Sequence, residues 1–294
     1  MKKYFFYLIC IAIVASFSFL SCDNSEDTPD EPMLIVRFKF DENQLRLNNI
    51  GQPANILAGN AAQTPMFNSI SAHYLELAQT ATTQLGMGAV LYHAPETASG
   101  GAMAIDFSEA KIVGEYEVFL KIPLREIAAG SYSWARVSLS YQNYDISIRH
   151  NGADYTGTLA SFVGFNTYIG SHSIDNNFFD INGNRAQGYW AFALNGFPYS
   201  TQGQAPAGAT TVPNPLSATS PIPQGSCVVT GQFGSDFVIT GNETQDVVLT
   251  LSVSINKSFE WHEVTADGKY EPAIGENVVD MGLRGLIPSF EQQP

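Results

Sequence analysis

Apolar and polar residues alternate along several segments of this chain, and this period of two is the feature that most limits its fold. Successive side chains of a β-strand point to opposite faces, so such alternation indicates strands with one buried and one solvated face. Exposure of one face to water is typical of antiparallel sheets. The alternating apolar sets are Leu34, Val36, Phe38 and Phe40; Ile112, Tyr116, Val118, Leu120 and Ile122; and Val247, Leu249, Leu251, Val253 and Ile255.

Turn residues between these segments agree with a strand-rich fold. The pairs Asn151-Gly152, Asp267-Gly268 and Asn182-Gly183 are dipeptides that favour the positive φ angles of type I′ hairpin turns. Helical periodicity is scarce and no repeat of fixed period occurs. The sequence therefore predicts an all-β fold, an antiparallel β-sandwich of immunoglobulin-like or jelly-roll-like type, as a single domain over residues 33–294.

One segment of this domain is unusual in composition. Residues 198–225 contain six prolines and no charged side chain. A connection of that length in a compact domain is commonly functional or mobile. We expect a long surface loop here, with a linker between two domains as the alternative.

The N-terminus has the layout of a secretory signal peptide. Lys2 and Lys3 precede the apolar residues 4–20. The sequence Phe19-Leu20-Ser21-Cys22, which begins at the end of this run, resembles the lipobox of bacterial lipoproteins, although Phe19 and Leu20 stand where that pattern has Leu and a small residue. The resemblance implies a signal peptide at residues 1–21, cleavage after Ser21, and lipidation, including palmitate, of Cys22. An uncleaved membrane anchor and a signal cut by the ordinary peptidase are the alternatives.

Residues 22–32 follow as a tether that contains five acidic residues and no large apolar side chain. Such a segment cannot collapse into a core, so we expect it to be disordered. An acidic stretch after the lipidated cysteine also resembles the surface-export signal of lipoproteins in Bacteroidota; the alternative is a solubilising linker. We therefore expect an anchor in the lipid bilayer through acylated Cys22, on the cell surface of the outer membrane or on its periplasmic face.

Charge and cysteine content restrict the partners further. The formal net charge of −14 argues against a nucleic-acid partner, because phosphate binding needs clustered Lys and Arg. Of the three cysteines, Cys10 leaves with the leader and Cys22 is acylated, so Cys227 has no disulfide partner. In its apolar context, Cys227 is expected to be a buried core residue.

Metal ligands are sparse in the sequence. Asp175, Asp180 and Asn182 supply oxygen atoms at short spacing, which suggests a calcium site, although the full EF-hand register is absent. The five histidines are dispersed, with no pair at ligand spacing, so a copper or zinc site would have to be assembled across strands. We predict no cofactor, with Ca²⁺ or Cu²⁺ as the alternatives.

No complete catalytic motif is present, and we predict a protein that is not an enzyme. A Gly-x-Ser-x-Gly elbow and a phosphate-binding loop are both missing. Glu115 and Glu117 could act as the carboxylate pair of a glycoside hydrolase, but with Lys121 nearby a solvated charged face is the simpler interpretation. A carbohydrate-active enzyme therefore stays an alternative.

Aromatic side chains offer a second possible binding surface. Trp134 and Trp261 have polar neighbours at alternating positions, so they are the aromatic residues that we predict to be exposed and able to stack on a sugar ring. For the other aromatic residues a buried core position is the expected one.

Four segments carry a resemblance to other proteins: residues 129–148, 155–170, 187–196 and 266–288. Over these segments the chain resembles a group of uncharacterised lipoproteins from Bacteroidota, which implies an envelope location and no particular activity. The opening strand Arg37–Asp41 also resembles that of the copper-associated MbnP-like β-sandwich proteins, which implies an architecture. We expect a non-enzymatic binding or envelope-assembly module whose partner is an envelope protein, a glycan or a metal ion; a metal-handling lipoprotein is the first alternative.

Overall fold

The computed structural model describes residues 31–205, 214 and 216–293 of the chain. These residues form an all-β fold with three short 3₁₀-helices and no α-helix among them, which confirms the predicted fold class. The 3₁₀-helices span Phe107–Glu109, Leu124–Glu126 and Pro272–Ile274. The strands are Met33–Asp41 (β1), Asn60–Gln63 (β2), Met66–Ala78 (β3), Ala89–His93 (β4), Glu96–Thr97 (β5), Ala104–Asp106 (β6), Val118–Pro123 (β7), Gly130–His150 (β8), Ala153–Phe162 (β9), Asn166–Ile174 (β10), Asn177–Ala186 (β11), Tyr189–Leu194 (β12), Ser200–Gln204 (β13), Cys227–Ile239 (β14), Val247–Ser254 (β15), Phe259–His262 (β16), Asn277–Met281 (β17) and Leu286–Gln292 (β18).

Two sheets enclose the main hydrophobic core of the sandwich. One has the strand order β18-β15-β1-β7, and the other has the order β13-β12-β9-β8-β3-β4, with β14 also paired to β8. The apolar sets predicted for β1 and β15 are buried in this core, as alternation requires. Most strand pairs are antiparallel as predicted, but β1 and β15 at the centre of the first sheet run parallel from Leu34↔Val247 to Asp41↔Ser254.

A second core lies on the other face of the larger sheet. There the antiparallel strands β10 and β11 cover side chains of β8, β9 and β12, among them Tyr141, Phe162 and Tyr189. Strand β8 contributes to both cores because it has a bulge at Ser140. Tyr141 pairs with Ser71 of β3 and Leu139 pairs with Ala72, so Ser140 between them has no partner in β3. This bulge changes the face to which the following side chains point.

The prediction for residues 112–122 is wrong at its N-terminal half. Strand β7 begins only at Val118, and Tyr116 adopts a positive φ of 60° in the turn before it. Ile112, Tyr116 and Val118 are consequently exposed, whereas Leu120 is buried as predicted. A register shift opposite Val36 and Arg37 of β1 explains why the alternation does not continue through this segment.

One of the three predicted hairpin turns is confirmed. Asn151 and Gly152 have φ angles of 51° and 76° and connect β8 to β9. Asn182-Gly183 instead lies inside β11 at a register shift, where Asn182 has a φ of 45°. Asp267-Gly268 lies in the long connection between β16 and β17, and no strand forms over residues 269–276 of that connection.

The sequence predicts that the Pro-rich segment is a long surface loop, but part of the segment forms a strand. Its residues Ser200–Gln204 form β13, which pairs with β12 from Tyr189↔Gln204 to Ala193↔Ser200. Residues 206–213 and 215 lie outside the described residues, as do the leader, Ser21, Cys22 and the tether up to residue 30. No helix of the described part of the chain is long and apolar enough to cross a membrane.

Candidate functional site

A large cavity lies against the face of the larger sheet that is turned away from β10 and β11. Alternate residues of β8, β9 and β12 form its wall. Because cross-strand partners share a face, the pairing Leu159↔Phe192 and Ser161↔Trp190 places these four side chains side by side. The sheet residues in this wall include Gln142, Ile146, Ile148, Leu159, Ser161, Trp190, Phe192 and Leu194.

The opposite wall comes from β16, β17 and the connection between them. Phe259, Tyr270, Val278 and Met281 line it. The buried carboxylate of Glu276 holds this connection in place: its Oε1 accepts a hydrogen bond from Val264 N at 3.0 Å, and its Oε2 accepts one from Glu271 N at 2.6 Å. The wall is therefore a fixed part of the fold.

The cavity has a volume of about 1050 Å³ and a predominantly apolar lining. Small-molecule sites in proteins are commonly cavities of about 300–1,000 Å³ with apolar walls and a few polar groups. Phe197 and Tyr199, which also line it, are about half exposed to solvent. The cavity is thus large enough for a small organic ligand, and aromatic rings at the solvent side are available to contact it.

A few polar groups in the cavity lining lie close together. Arg284, which is 6% exposed, forms an ion pair with Asp280 at 2.5 Å between Nη2 and Oδ1. Burial raises the pKa of Asp280, and the neighbouring guanidinium opposes that shift. The Nε of Arg284 has no hydrogen-bond partner within the described ranges, so a polar group of a ligand could accept from it.

A second group of polar side chains lies at the edge of the same sheet, away from the cavity. His73 comes from β3, His93 from the end of β4, and Glu96 from β5. His73 Nε2 lies 2.9 Å from Glu96 Oε1 and 3.2 Å from His93 Nε2, and His93 Nε2 lies 3.4 Å from Glu96 Oε1. Among the described residues, these three form the one group of His, Cys, Asp or Glu side chains close enough to share a metal ion.

The environments of the two imidazoles differ. His73 is fully buried, with the ring of Phe165 at 5.4 Å, whereas the side chain of His93 is 48% exposed. Burial is the main cause that lowers the pKa of His73 to about 4, with a smaller contribution from His93 and an opposing one from Glu96. His73 is therefore neutral at pH 7, the state in which imidazole binds metal ions.

The two predicted stacking residues are in different surroundings. Trp261 is fully buried and packs on Phe259 and Tyr270 in the main core, so the prediction of an exposed stacking surface is wrong for this residue. Its polar neighbours His262 and Glu263 lie at the end of β16 and beyond it. Trp134 is half-buried on β8, between Ala78 of β3 and Gln232 of β14. A sugar-binding role for Trp134 stays a prediction.

The structure does not bring the predicted calcium ligands into one group. Asp175 lies in the turn between β10 and β11, Asp180 lies in β11 opposite Ser171, and Asn182 accepts a hydrogen bond from the Tyr168 hydroxyl at 3.0 Å. An extended strand advances about 3.3 Å per residue, which separates Asp175 from the other two. The calcium site was predicted only because its three residues are close in sequence. In the structure they lie at different positions along the β10–β11 hairpin.

The two carboxylates considered for glycoside hydrolysis both bind backbone amides. Glu115 Oε1 accepts from Phe40 N at 3.0 Å, and Glu117 Oε2 accepts from Gly114 N at 2.8 Å. Cys227 is buried as expected, and burial raises the pKa of its thiol to about 12. A thiol in that state is a poor nucleophile.

Sequence reasoning missed the histidine cluster because His73 and His93 are twenty positions apart. Register explains their contact: β3 and β4 pair antiparallel with Tyr74 opposite His93. Gly86 and Gly88 indicate a turn between the two strands. A turn there would bring β3 and β4 side by side, and this was the one sequence signal for contact between the two histidines. A bulge between Leu75 and Glu76 nevertheless makes the register hard to read from the sequence.

Comparison with known protein families, with curated proteins and with solved structures finds no match to this chain.

Proposed function

We propose that this chain is a lipid-anchored envelope protein that acts as a non-enzymatic binding module, with an amphipathic small molecule held in the apolar cavity. The observation that carries the proposal is the cavity of about 1050 Å³ between the larger sheet and β16–β17. Its apolar walls favour burial of an apolar ligand body through the hydrophobic effect. The lipobox-like sequence before Cys22 supports the envelope location.

The ion pair of Arg284 and Asp280 gives the cavity a polar position among apolar walls. A ligand that is apolar throughout would leave the Arg284 Nε without an acceptor, whereas an amphipathic one can supply it. The two opposite charges of this pair nearly cancel, so the pair itself does not demand a strongly charged ligand. These features favour a molecule with a long or bulky apolar part and one polar end.

Titration of the purified full-length protein with N-phenyl-1-naphthylamine, whose fluorescence rises in apolar surroundings, tests this proposal. We expect saturable binding of one probe per chain. The substitution Ser161→Phe should weaken it at least about tenfold, because Ser161 lies in the cavity wall and a phenyl ring would occupy the ligand's space. Competition with unlabelled fatty acids should displace the probe.

Ser147→Phe is the matched control, since Ser147 is exposed on the same strand as Ile146 and Ile148 but does not line the cavity. It should bind the probe as the unsubstituted protein does. Thermal unfolding of both variants checks that they are folded. Absence of saturable binding, or equal affinity in Ser161→Phe, would contradict the proposal.

A further inference from the structure

The His73, His93 and Glu96 cluster lies where two sheets meet, and the backbone fixes its position. After His93 the chain leaves the larger sheet, and within three residues it enters the small sheet of β5, β6, β10 and β11 through Glu96. The carbonyl oxygen of His73 accepts a hydrogen bond from Ala94 N at 2.7 Å, and Pro95 O accepts one from Asp106 N at 3.0 Å. The corner that holds the three side chains is therefore rigid.

Two buried charged side chains, Glu76 and Arg136, hold the connection between β3 and β4, and with it the position of His93. Glu76 accepts hydrogen bonds from Gly86 N at 3.0 Å and from Gly88 N at 2.6 Å. Opposite Glu76 in the register, Arg136 donates to Thr83 O at 2.6 Å. Both charges thus bind the backbone of this connection, which restrains β4 against β3.

The geometry of the three side-chain atoms matches that of a metal site. The distances of 2.9, 3.2 and 3.4 Å between His73 Nε2, His93 Nε2 and Glu96 Oε1 form a closed triangle. Ligands about 2.0–2.1 Å from a tetrahedral ion are separated from one another by about 3.3 Å, so such an ion would need only small shifts of these side chains. Atoms that carry lone pairs approach this closely only when a proton or a cation lies between them.

The donor set also identifies the class of ion. Two imidazole nitrogens and one carboxylate oxygen suit borderline divalent ions, whereas Ca²⁺ and Mg²⁺ prefer oxygen ligands alone. Three protein ligands with one open position are the arrangement of many zinc sites. The side chains of His93 and Glu96 are 48% and 23% exposed, so an ion can enter from solvent and keep a water ligand there.

We propose that His73, His93 and Glu96 bind one divalent transition-metal ion, with Zn²⁺ as the representative ion. This inference is independent of the proposed ligand cavity, from which these residues are absent. A bound ion would connect β3 and β4 of the larger sheet to β5 of the smaller one. It would therefore stabilise the folded chain as well as occupy the site, because it binds the folded state and not the unfolded one.

Calorimetric titration of the full-length protein with ZnCl₂, after removal of metal with EDTA and dialysis, tests the proposal. We expect one Zn²⁺ per chain with a dissociation constant below about 1 μM, and a rise of the melting temperature when Zn²⁺ is present. Addition of Co²⁺ should produce visible absorption bands of a low-symmetry site. An excess of CaCl₂ should not displace Zn²⁺.

Two variants test whether the Zn²⁺ binding measured by calorimetry occurs at the cluster of His73, His93 and Glu96. His93→Ala removes a half-exposed ligand and should lower the affinity for Zn²⁺ at least about a hundredfold, and Glu96→Gln at least about tenfold, with loss of the thermal shift in both. Neither residue is needed for a core, so both variants should fold. His262→Ala, a substitution of an exposed histidine outside the cluster, should leave affinity unchanged.

Three results would overturn the proposal. The first is absence of Zn²⁺ binding at micromolar concentration in the unsubstituted protein. The second is binding that persists unchanged in His93→Ala and Glu96→Gln. The third is an equal loss in His262→Ala, which would indicate nonspecific binding to surface histidines.

Discussion

At the scale of single residues, His172 shows what burial without a partner does to an ionisable side chain. Its ring stacks on Phe179 at 4.9 Å and packs edge-on against Phe162 at 5.2 Å in the second core. Neither ring nitrogen has a hydrogen-bond partner in the part of the chain that is described. Burial accordingly lowers the pKa of His172 to about 4.

This shift makes folding stability depend on pH in a defined direction. Above the unfolded-state pKa of about 6.5, His172 is neutral in both states and contributes nothing to the pH dependence. As pH falls from about 6.5 to 4, the unfolded chain takes up a proton that the folded chain does not, so the free energy of unfolding decreases by up to about 1.4 kcal/mol per pH unit. His73 acts in the same direction.

We therefore expect His172→Phe to reduce the loss of stability between pH 7 and pH 5 by about 1–2 kcal/mol, because phenylalanine fits the aromatic surroundings and cannot take up a proton. Urea unfolding at the two pH values measures this difference. His150→Phe is the control, since His150 is exposed at the end of β8. Equal pH dependence in His172→Phe and the unsubstituted protein would show that His172 does not titrate as inferred.

At the scale of elements, strand β8 connects the two halves of the fold. It extends over Gly130–His150 and pairs with β14, β3 and β9 along its length. The bulge at Ser140 turns Tyr141 toward the second core, while Leu139 remains in the main core. The C-terminal end of β8 is joined to β9 by Asn151-Gly152. This turn therefore sets the pairing of two strands that form the cavity wall.

The hairpin turn supplies a prediction about element stability. Gly152 has a φ of 76°, and a Cβ added there would meet no described atom within 4 Å, so strain in the backbone would be the main effect of a side chain. Gly152→Ala should therefore lower the free energy of unfolding by about 1–2 kcal/mol.

Gly234→Ala provides the comparison in the same urea titration. Gly234 also faces open space within the described chain but does not have a positive φ, so its substitution should be close to neutral. Unfolding of both variants at the same urea concentration would contradict the prediction. It would show that the positive φ of Gly152 does not make a side chain there destabilising.

At the scale of the whole molecule, the described residues form a sandwich with two large cores, a smaller apolar cluster of Tyr74, Leu85, Ile222 and Val228, and a large cavity. The chain carries a net charge of −14. The sandwich needs no disulfide: within the described residues Cys227 is free and buried. Burial of apolar side chains in the two cores is therefore the main source of stability.

Membrane attachment through Cys22 is the prediction that belongs to this scale. We expect the unsubstituted protein in the membrane fraction of cells and Cys22→Ala in the soluble envelope fraction, because an acylated cysteine partitions into the bilayer and alanine cannot be acylated. Cys227→Ala is the matched control, since that thiol is buried in the body. Membrane retention of Cys22→Ala would contradict the proposed anchor.

Protease treatment of intact cells then distinguishes the two faces of the outer membrane. Degradation of the protein, with a periplasmic control left intact, would place it on the cell surface. Resistance of both would place it on the periplasmic face, and the acidic tether would then serve as a spacer only.

The sequence by itself determined the class of fold, several buried faces and one turn. The period of two in residues 33–40 and 247–255 predicted the inward sets of β1 and β15, and Asn151-Gly152 predicted a hairpin that the structure contains. These features depend on the backbone conformation of neighbouring residues, so a local pattern suffices to reveal them.

Only the tertiary structure decided which strands pair, which face a side chain reaches after a bulge, and which distant residues meet. The parallel pairing of β1 with β15, the change of face at Ser140 and the burial of Trp261 all depend on partners far away in the chain. The cluster of His73, His93 and Glu96 depends on register in the same way. A one-residue shift in pairing exchanges the two faces of a strand, and the free energy that selects the register comes from packing between segments that are remote in sequence.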